Sequence, residues 1–213
     1  MSASAILRKA FPLIPTHGFT RTCIAEASAL SDTAITALFG RDEEAERVLV
    51  NTWLTEGVQS ISGGAEPPTS SAPPPAAFHA QLKDSLGRRL KYNEPVLKHL
   101  PDAFAMLGTQ TPVIPYDPRP AFEHAFRIAD EALHISGDTS LGPQWYARRT
   151  AVALAYSAAE LHQIQSPDTA AGFLSRLLDD AKELEVAVGS VGEFAGFAYD
   201  GWKGIIKAQG VLH

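Results

Sequence analysis

Glu131 and His134 stand three residues apart in a segment of helical periodicity, the spacing by which di-iron carboxylate bundles aim two ligands inward from one helix. Such a centre needs a second Glu-x-x-His and two more inward glutamates, and the second copy is broken because Glu160 is followed at that spacing by Gln163. His134 therefore reads as a structural or surface residue. The other histidines are scattered, and no His-x-x-x-His, Gly-x-Ser-x-Gly or phosphate-cradling glycine loop occurs. The single cysteine, Cys23, excludes an internal disulfide framework and a Cys-rich zinc site, and reads as a small core residue. No nucleophile pairs with a base by spacing, so the expectation is a chain that is not an enzyme, with no catalytic residue, metal or cofactor.

The elements that must position these groups are helical. Apolar positions recur at helical spacing through most of the chain, and alternating strand-like runs are nearly absent, which predicts an all-α fold. With 213 residues and 45% hydrophobic content, one compact unit with an attached end piece is expected. A formal net charge of -6 gives no attractive field for nucleic acid or anionic membrane surfaces. The best apolar run, residues 151–159, ends at Glu160, far short of the roughly 20 residues of a membrane span. The first ten residues carry Arg8 and Lys9 and no acid but are too short for a mitochondrial transit peptide, so a targeting segment is either missing from this chain or never existed.

Four pieces follow: 1–61, a helix-turn-helix-like region; 62–77, a Pro/Ser/Gly-rich linker; 78–184, a helical core; and 185–213, a terminal amphipathic helix. In the first, short helices break at Thr16-His17-Gly18 and near Leu30-Ser31-Asp32, with Ser31 or Asp32 as a cap, before a longer helix over residues 42–61. The core piece predicts helices over 78–92, 96–107, 121–135, 143–165 and 170–184, with prolines 112, 115, 118 and 120 enforcing one turn. Residues 137–140 offer capping oxygens ahead of Pro143. In 170–184, Phe173, Leu174, Leu177 and Leu178 should face inward.

Counting from Val191, residues Phe194, Ala195, Ala198, Trp202, Ile205 and Ile206 form one apolar stripe. Two readings fit: a last helix docked on the core, or one lying in a membrane interface. Six glycines between 189 and 210 weaken the helix, each by roughly 0.8–1 kcal/mol relative to alanine, so it needs a partner surface. Phe194, Phe197, Tyr199 and Trp202 suit the headgroup level of a bilayer, and the position after the core leaves the helix free to swing. These details favour the interface.

The order Gly18-Phe19-Thr20, Ile24-Ala25-Glu26-Ala27, Leu30-Ser31-Asp32-Thr33-Ala34-Ile35 and Leu38-Phe39-Gly40 resembles the helix-turn-helix of TetR-type repressors. Between Phe19 and Arg41 the basic residues are Arg21 and Arg41 alone, and the would-be recognition helix offers threonines and alanines, which neither grip phosphates nor read base edges. The fold is kept while its original use is lost. A TetR-type regulator sensing a hydrophobic ligand is the alternative reading.

Gly137-Asp138-Thr139-Ser140, Trp145-Tyr146-Ala147-Arg148-Arg149, Tyr156-Ser157-Ala158-Ala159-Glu160-Leu161 and Ser166-Pro167-Asp168 with Phe173-Leu174 resemble, in the same order, the signature of the Coq-nine family of ubiquinone-biosynthesis proteins. Residues 10–20 look like its opening, and the resemblance covers most of the chain outside the linker. It implies a TetR-like homodimer without enzymatic activity that binds isoprenoid quinone precursors or phospholipid. It further implies a terminal membrane helix and a di-iron hydroxylase partner, on the matrix face of the mitochondrial inner membrane. By that resemblance Arg149, Trp145 and Tyr156 bind lipid, Trp145, Tyr146 and Asp138 face the hydroxylase, and Phe194, Phe197, Trp202, Ile205 and Ile206 enter the membrane.

Trp145 and Arg149, four residues apart, share a helix face on which a ring and a cation can jointly meet a quinol or a lipid phosphate, while Tyr146 and Arg148 should point elsewhere. The same residues also read as a Trp-Tyr pair stacked by local arginines for stability alone. The chain departs from the family at Leu141-Gly142-Pro143-Gln144, where many relatives have an acidic and an aromatic residue before Asn-Trp-Tyr.

Overall fold

In a computed structural model, residues 3–63, 73–108 and 119–184 are described. Among them there is no strand, as the periodicity predicts. The helices are α1 (Ala3–Ala10), α2 (Ile14–His17), α3 (Arg21–Ser28), α4 (Asp32–Phe39), α5 (Glu44–Gln59), α6 (Pro75–Asn93), α7 (Leu100–Leu107), α8 (Arg119–Ile135), α9 (Pro143–Gln165) and α10 (Pro167–Leu184). None of these is long and apolar enough to cross a membrane.

The chain breaks α2 at Gly18, whose φ of 71° and close approach to the His99 ring, 3.0 Å from a would-be Cβ, both require glycine. Thr20 caps α3 by accepting from the Cys23 amide at 3.2 Å, and Ser31, the first of the two expected caps, accepts from Ala34 at 3.3 Å to start α4. Helix α5 is two residues shorter at each end than 42–61, because Asp42 adopts a φ of 52° and the backbone tightens into turn bonds from Ser60 and Ile61. The expected helix over 96–107 is two elements, a 3-10 helix at Glu94–His99 followed by α7, since Pro101 lacks the amide that would carry one helix across the junction. Pro75 and Pro167 start α6 and α10 three residues earlier than anticipated, at a position where a missing amide costs nothing.

Two apolar clusters fill the bundle. One joins Leu7, Ile14, Ile24, Ile35, Leu49 and Trp53 of the first helices to Leu100, Phe104 and Leu161, so the N-terminal helices pack directly onto α7 and the end of α9. The other joins Leu82, Leu86 and Leu90 of α6 to Ile128 and Leu133 of α8, Tyr156 of α9 and Leu174 and Leu178 of α10. Helix α9 is central: its alanines at 153, 155 and 159 are buried and let α6, α8 and α10 approach closely. Burying a leucine such as Leu86, fully enclosed here, contributes roughly 1.5–3 kcal/mol. On α10, Leu174 and Leu178 are buried and Phe173 and Leu177 half-buried, as the stripe predicts.

Candidate functional site

Helix α9 opens at Pro143 behind Gly142, whose φ is 60°, and no side chain caps it. The capping oxygens expected from residues 137–140 are therefore a correction. Asp138 turns inward instead, because two guanidinium groups one turn into α9 are stronger partners than neutral amides. Its Oδ1 accepts from Arg148 Nη1 at 2.8 Å, and its Oδ2 from Arg149 Nη1 at 2.9 Å and the Ser140 hydroxyl at 2.6 Å. Arg149 also donates through Nε to Asp130 Oδ1 at 2.6 Å, and its Cζ lies 3.9 Å from the centre of the Trp145 ring. Arg148 thus joins the cluster rather than pointing elsewhere: the forked carboxylate reaches two neighbouring helix positions at once.

The Asp138 side chain is 0% exposed. Burial works to raise its pKa but is outweighed by the hydrogen bonds from Ser140, Arg148 and Arg149, which hold the carboxyl below its ordinary value. Two arginines against two aspartates leave the cluster formally neutral. Its outer surface is aromatic. Tyr146 meets Trp145 edge-on at 4.8 Å and is 65% exposed, while Phe126 lies 6.1 Å from Trp145 and Phe122 6.1 Å from Phe126. Rings stacked on a salt-bridged base form a rigid ridge with little conformational entropy to lose on contact.

Of the residues assigned to lipid, Trp145 and Arg149 meet here, but the Arg149 cation is matched internally by Asp130 and Asp138. A phosphate would have to displace Asp130, whose side chain is 51% exposed. Of those assigned to a protein partner, Trp145 and Tyr146 reach the surface, whereas the Asp138 side chain is enclosed against Arg148 and Arg149. Tyr156 is two turns away and fully buried, donating to Glu160 Oε1 at 2.8 Å.

Tyr156 belongs to a second, enclosed polar cluster. Asn93 Nδ2 donates to the same Glu160 oxygen at 2.8 Å, Arg89 Nη1 donates to Asn93 Oδ1, and Arg89 Nη2 stands 4.0 Å from the carboxylate. His124 Nε2 lies 3.5 Å from Glu160 Oε2 without hydrogen-bond alignment. Burial alone would raise the Glu160 pKa; His124, Arg89 and the Asn93 hydrogen bond reverse this and bring it down to about 2. Burial raises the Tyr156 phenol well above its usual value. Gln163, buried as well, donates to the Leu90 carbonyl at 2.8 Å, so Glu160 and Gln163 are partners in a core network. Arg89, Asn93 and His124 escaped sequence reasoning, although Arg89 and Asn93 fall on the stripe of Leu82 and Leu86, where a polar side chain must find internal partners. His134 is exposed.

A cleft of about 80 Å³ between α5 and α8, lined by Asn51, Leu54, Thr55, Glu123, His124 and Arg127 among others, has room for a few waters or one small group and none for an isoprenoid tail. The five membrane candidates, Phe194, Phe197, Trp202, Ile205 and Ile206, lie outside the described residues, as do the expected turn prolines 112, 115 and 118 and most of the 62–77 linker.

A sequence-family model described as COQ9 matches residues 119–185, the stretch holding both polar clusters' α8 and α9 members. The chain is 30% identical over 190 residues to the Bos taurus protein named ubiquinone biosynthesis protein COQ9, mitochondrial, covering 84% of this chain and 57% of that one. It is 30% identical over 171 residues to the Xenopus laevis protein COQ9-A of the same description, covering 76% and 51%. With the Schizosaccharomyces pombe protein named coq9 it shares 26% over 212 residues, covering 97% and 80%. The chain therefore spans little more than half the length of the vertebrate relatives it matches. The order of motifs along α8, α9 and α10, the family match over those helices and these relatives agree: the chain is similar to the COQ9 family of ubiquinone-biosynthesis proteins.

Proposed function

We propose that this chain is a non-enzymatic lipid-binding accessory protein of ubiquinone biosynthesis, one that takes isoprenoid quinone precursors from a membrane and presents them to a di-iron hydroxylase. The observation that carries the reading is the Trp145–Tyr146 ridge, exposed at its tip and locked from behind by Asp138, Arg148, Arg149 and Asp130. Large aromatic groups held in one conformation are what a protein interface uses as anchors. The relatives' names supply the pathway and the mitochondrion. Within this reading the protein is a TetR-like homodimer on the matrix face of the inner membrane, its terminal stripe is the membrane contact, and bound isoprenoid precursor or phospholipid is its cargo. Asp138 acts as a positioning residue, and Arg149 meets lipid phosphate by exchanging Asp130 for it.

Co-purification with the hydroxylase tests the reading. The unaltered chain retains the enzyme on an affinity resin and Tyr146→Ala loses it while keeping its helical spectrum; retention by the variant would contradict the interface. The alternative, a TetR-type regulator, is favoured by the α3-turn-α4 order. Against it, Arg21, which would meet a phosphate, is held by Asp32 at 2.6 Å, by the Asp42 carbonyl at 3.1 Å and by Thr36. Salt-dependent binding to promoter DNA would revive it.

A further inference from the structure

His124 belongs both to the enclosed polar cluster and to the cleft between α5 and α8. Its side chain is 6% exposed, and Nε2 faces inward, 3.5 Å from Glu160 Oε2. Both atoms are enclosed, and neither has a hydrogen-bond partner among the described residues. Nδ1 also lacks a partner among the described residues, but it is not an enclosed atom. The ring thus stands as a wall, with Nε2 toward the buried carboxylate and Nδ1 toward the cleft that His124 lines.

The charge behind the ring decides what Nδ1 can do. The Glu160 carboxyl, brought down to about 2, is ionised at neutral pH, and a carboxylate beside Nε2 keeps the ring proton on that nitrogen. The neutral ring then presents Nδ1 as an acceptor. The neighbouring groups also favour a donor. Thr55 spends its hydroxyl hydrogen on the Asn51 carbonyl at 2.8 Å, which leaves lone pairs for a ligand. Glu123 and Arg127, with side chains 65% and 68% exposed, pair at 4.0 Å and cancel, so no net charge draws an anion in. Leu54, Val58 and Leu107 supply apolar walls.

We propose that this cleft binds the hydroxyl-bearing edge of a phenolic ring, whose O–H donates to His124 Nδ1 while the ring lies against Leu54, Val58 and Leu107. A space of about 80 Å³ admits that edge and excludes a tail attached to the ring. A phenol suits the site on both counts, because its hydroxyl is a strong donor and the rest of it is apolar. The inference deepens the delivery reading, on which it rests for a membrane source of the phenol. A free phenol carries the same chemistry and serves as the probe.

Nitrogen NMR of the imidazole rings in the full chain, at mildly alkaline pH, tests this. On titration with phenol the His124 Nδ1 resonance shifts and saturates, with a dissociation constant on the order of 1 mM, while the exposed His134 does not move. Anisole, which keeps the ring and loses the donor, binds about tenfold more weakly or worse, and acetate leaves Nδ1 unmoved. Thr55→Phe, at an exposed position of α5, fills the cleft, keeps the His124 signals and weakens phenol by about tenfold or more. Equal affinity for phenol and anisole, a response to acetate, an unmoved Nδ1 or an indifferent Thr55→Phe would each overturn the site. Phenol binding by protein that never takes up quinone precursor leaves the site standing and removes the delivery reading. Precursor carried with no change at His124 overturns the cleft as the seat of its ring.

Discussion

Replacing Asp138 by asparagine keeps the shape of the side chain and removes the charge on which Arg148 and Arg149 converge. Charge-assisted hydrogen bonds contribute roughly 1.5–3 kcal/mol each. The Arg148 bond counts for little, because its side chain is 28% exposed and water replaces the partner. Arg149 is 5% exposed and keeps Asp130, but one buried guanidinium nitrogen loses its anion. The expected loss is about 2–3 kcal/mol, a fall of about 4–12 °C in melting temperature for a chain of this size. Urea unfolding followed by far-UV circular dichroism reads it as a lower midpoint at unchanged slope.

The pH dependence gives a second, independent check. The folded Asp138 carboxyl titrates below its unfolded value, so the native state binds fewer protons there, and the stabilisation is complete above about pH 4 and lost as pH falls through the folded value. The difference between the two proteins must therefore shrink on acidification. A variant within about 0.5 kcal/mol of the parent at neutral pH, or a difference that widens in acid, would refute the view that Asp138 locks the ridge.

Other changes separate the remaining parts of the account. Glu160→Gln leaves the enclosed Arg89 without its anion and should cost about 3–5 kcal/mol by chemical denaturation. In the parent, protonation of Glu160 withdraws on the order of 3 kcal/mol as pH falls from 4.5 to about 2, a decline the glutamine variant should lack. Gly57→Ala places a Cβ 2.9 Å from the Tyr92 ring and 3.0 Å from Arg89 Cζ, and calorimetry should show a loss of about 1–3 kcal/mol from overpacking. The double change Phe197→Asp with Trp202→Asp should abolish vesicle sedimentation without moving the melting of the core, and undiminished sedimentation would remove the membrane role of the terminal stripe.

The periodic parts of the fold were legible because one face of each helix is apolar. Helix α9 lies over 143–165 as read, since Pro143 and Ser166-Pro167 bound an unbroken pattern. Local backbone chemistry shifted the ends elsewhere, as at Asp42, or split an element, as at Pro101. In the candidate site, the spacing of Trp145 and Arg149 correctly implied a shared face, and their stacking at 3.9 Å was among the readings the spacing allowed. Spacing carries no information across helices, which is why Asp130 on α8 and the convergence of Arg148 on Asp138 were not foreseen. The enclosed cluster was hidden for the same reason: Glu160 reads as the end of an apolar run until α6 and α8 bring Arg89, Asn93 and His124 against it.

The most direct test of the central claim is native mass spectrometry of the full chain purified from membranes containing ubiquinone precursors, with organic extraction of what it carries. The account predicts a dimer holding isoprenoid quinone precursor or phospholipid in a fixed ratio, released on extraction. A protein free of lipid, and remaining so after incubation with precursor-loaded vesicles, would contradict the delivery role.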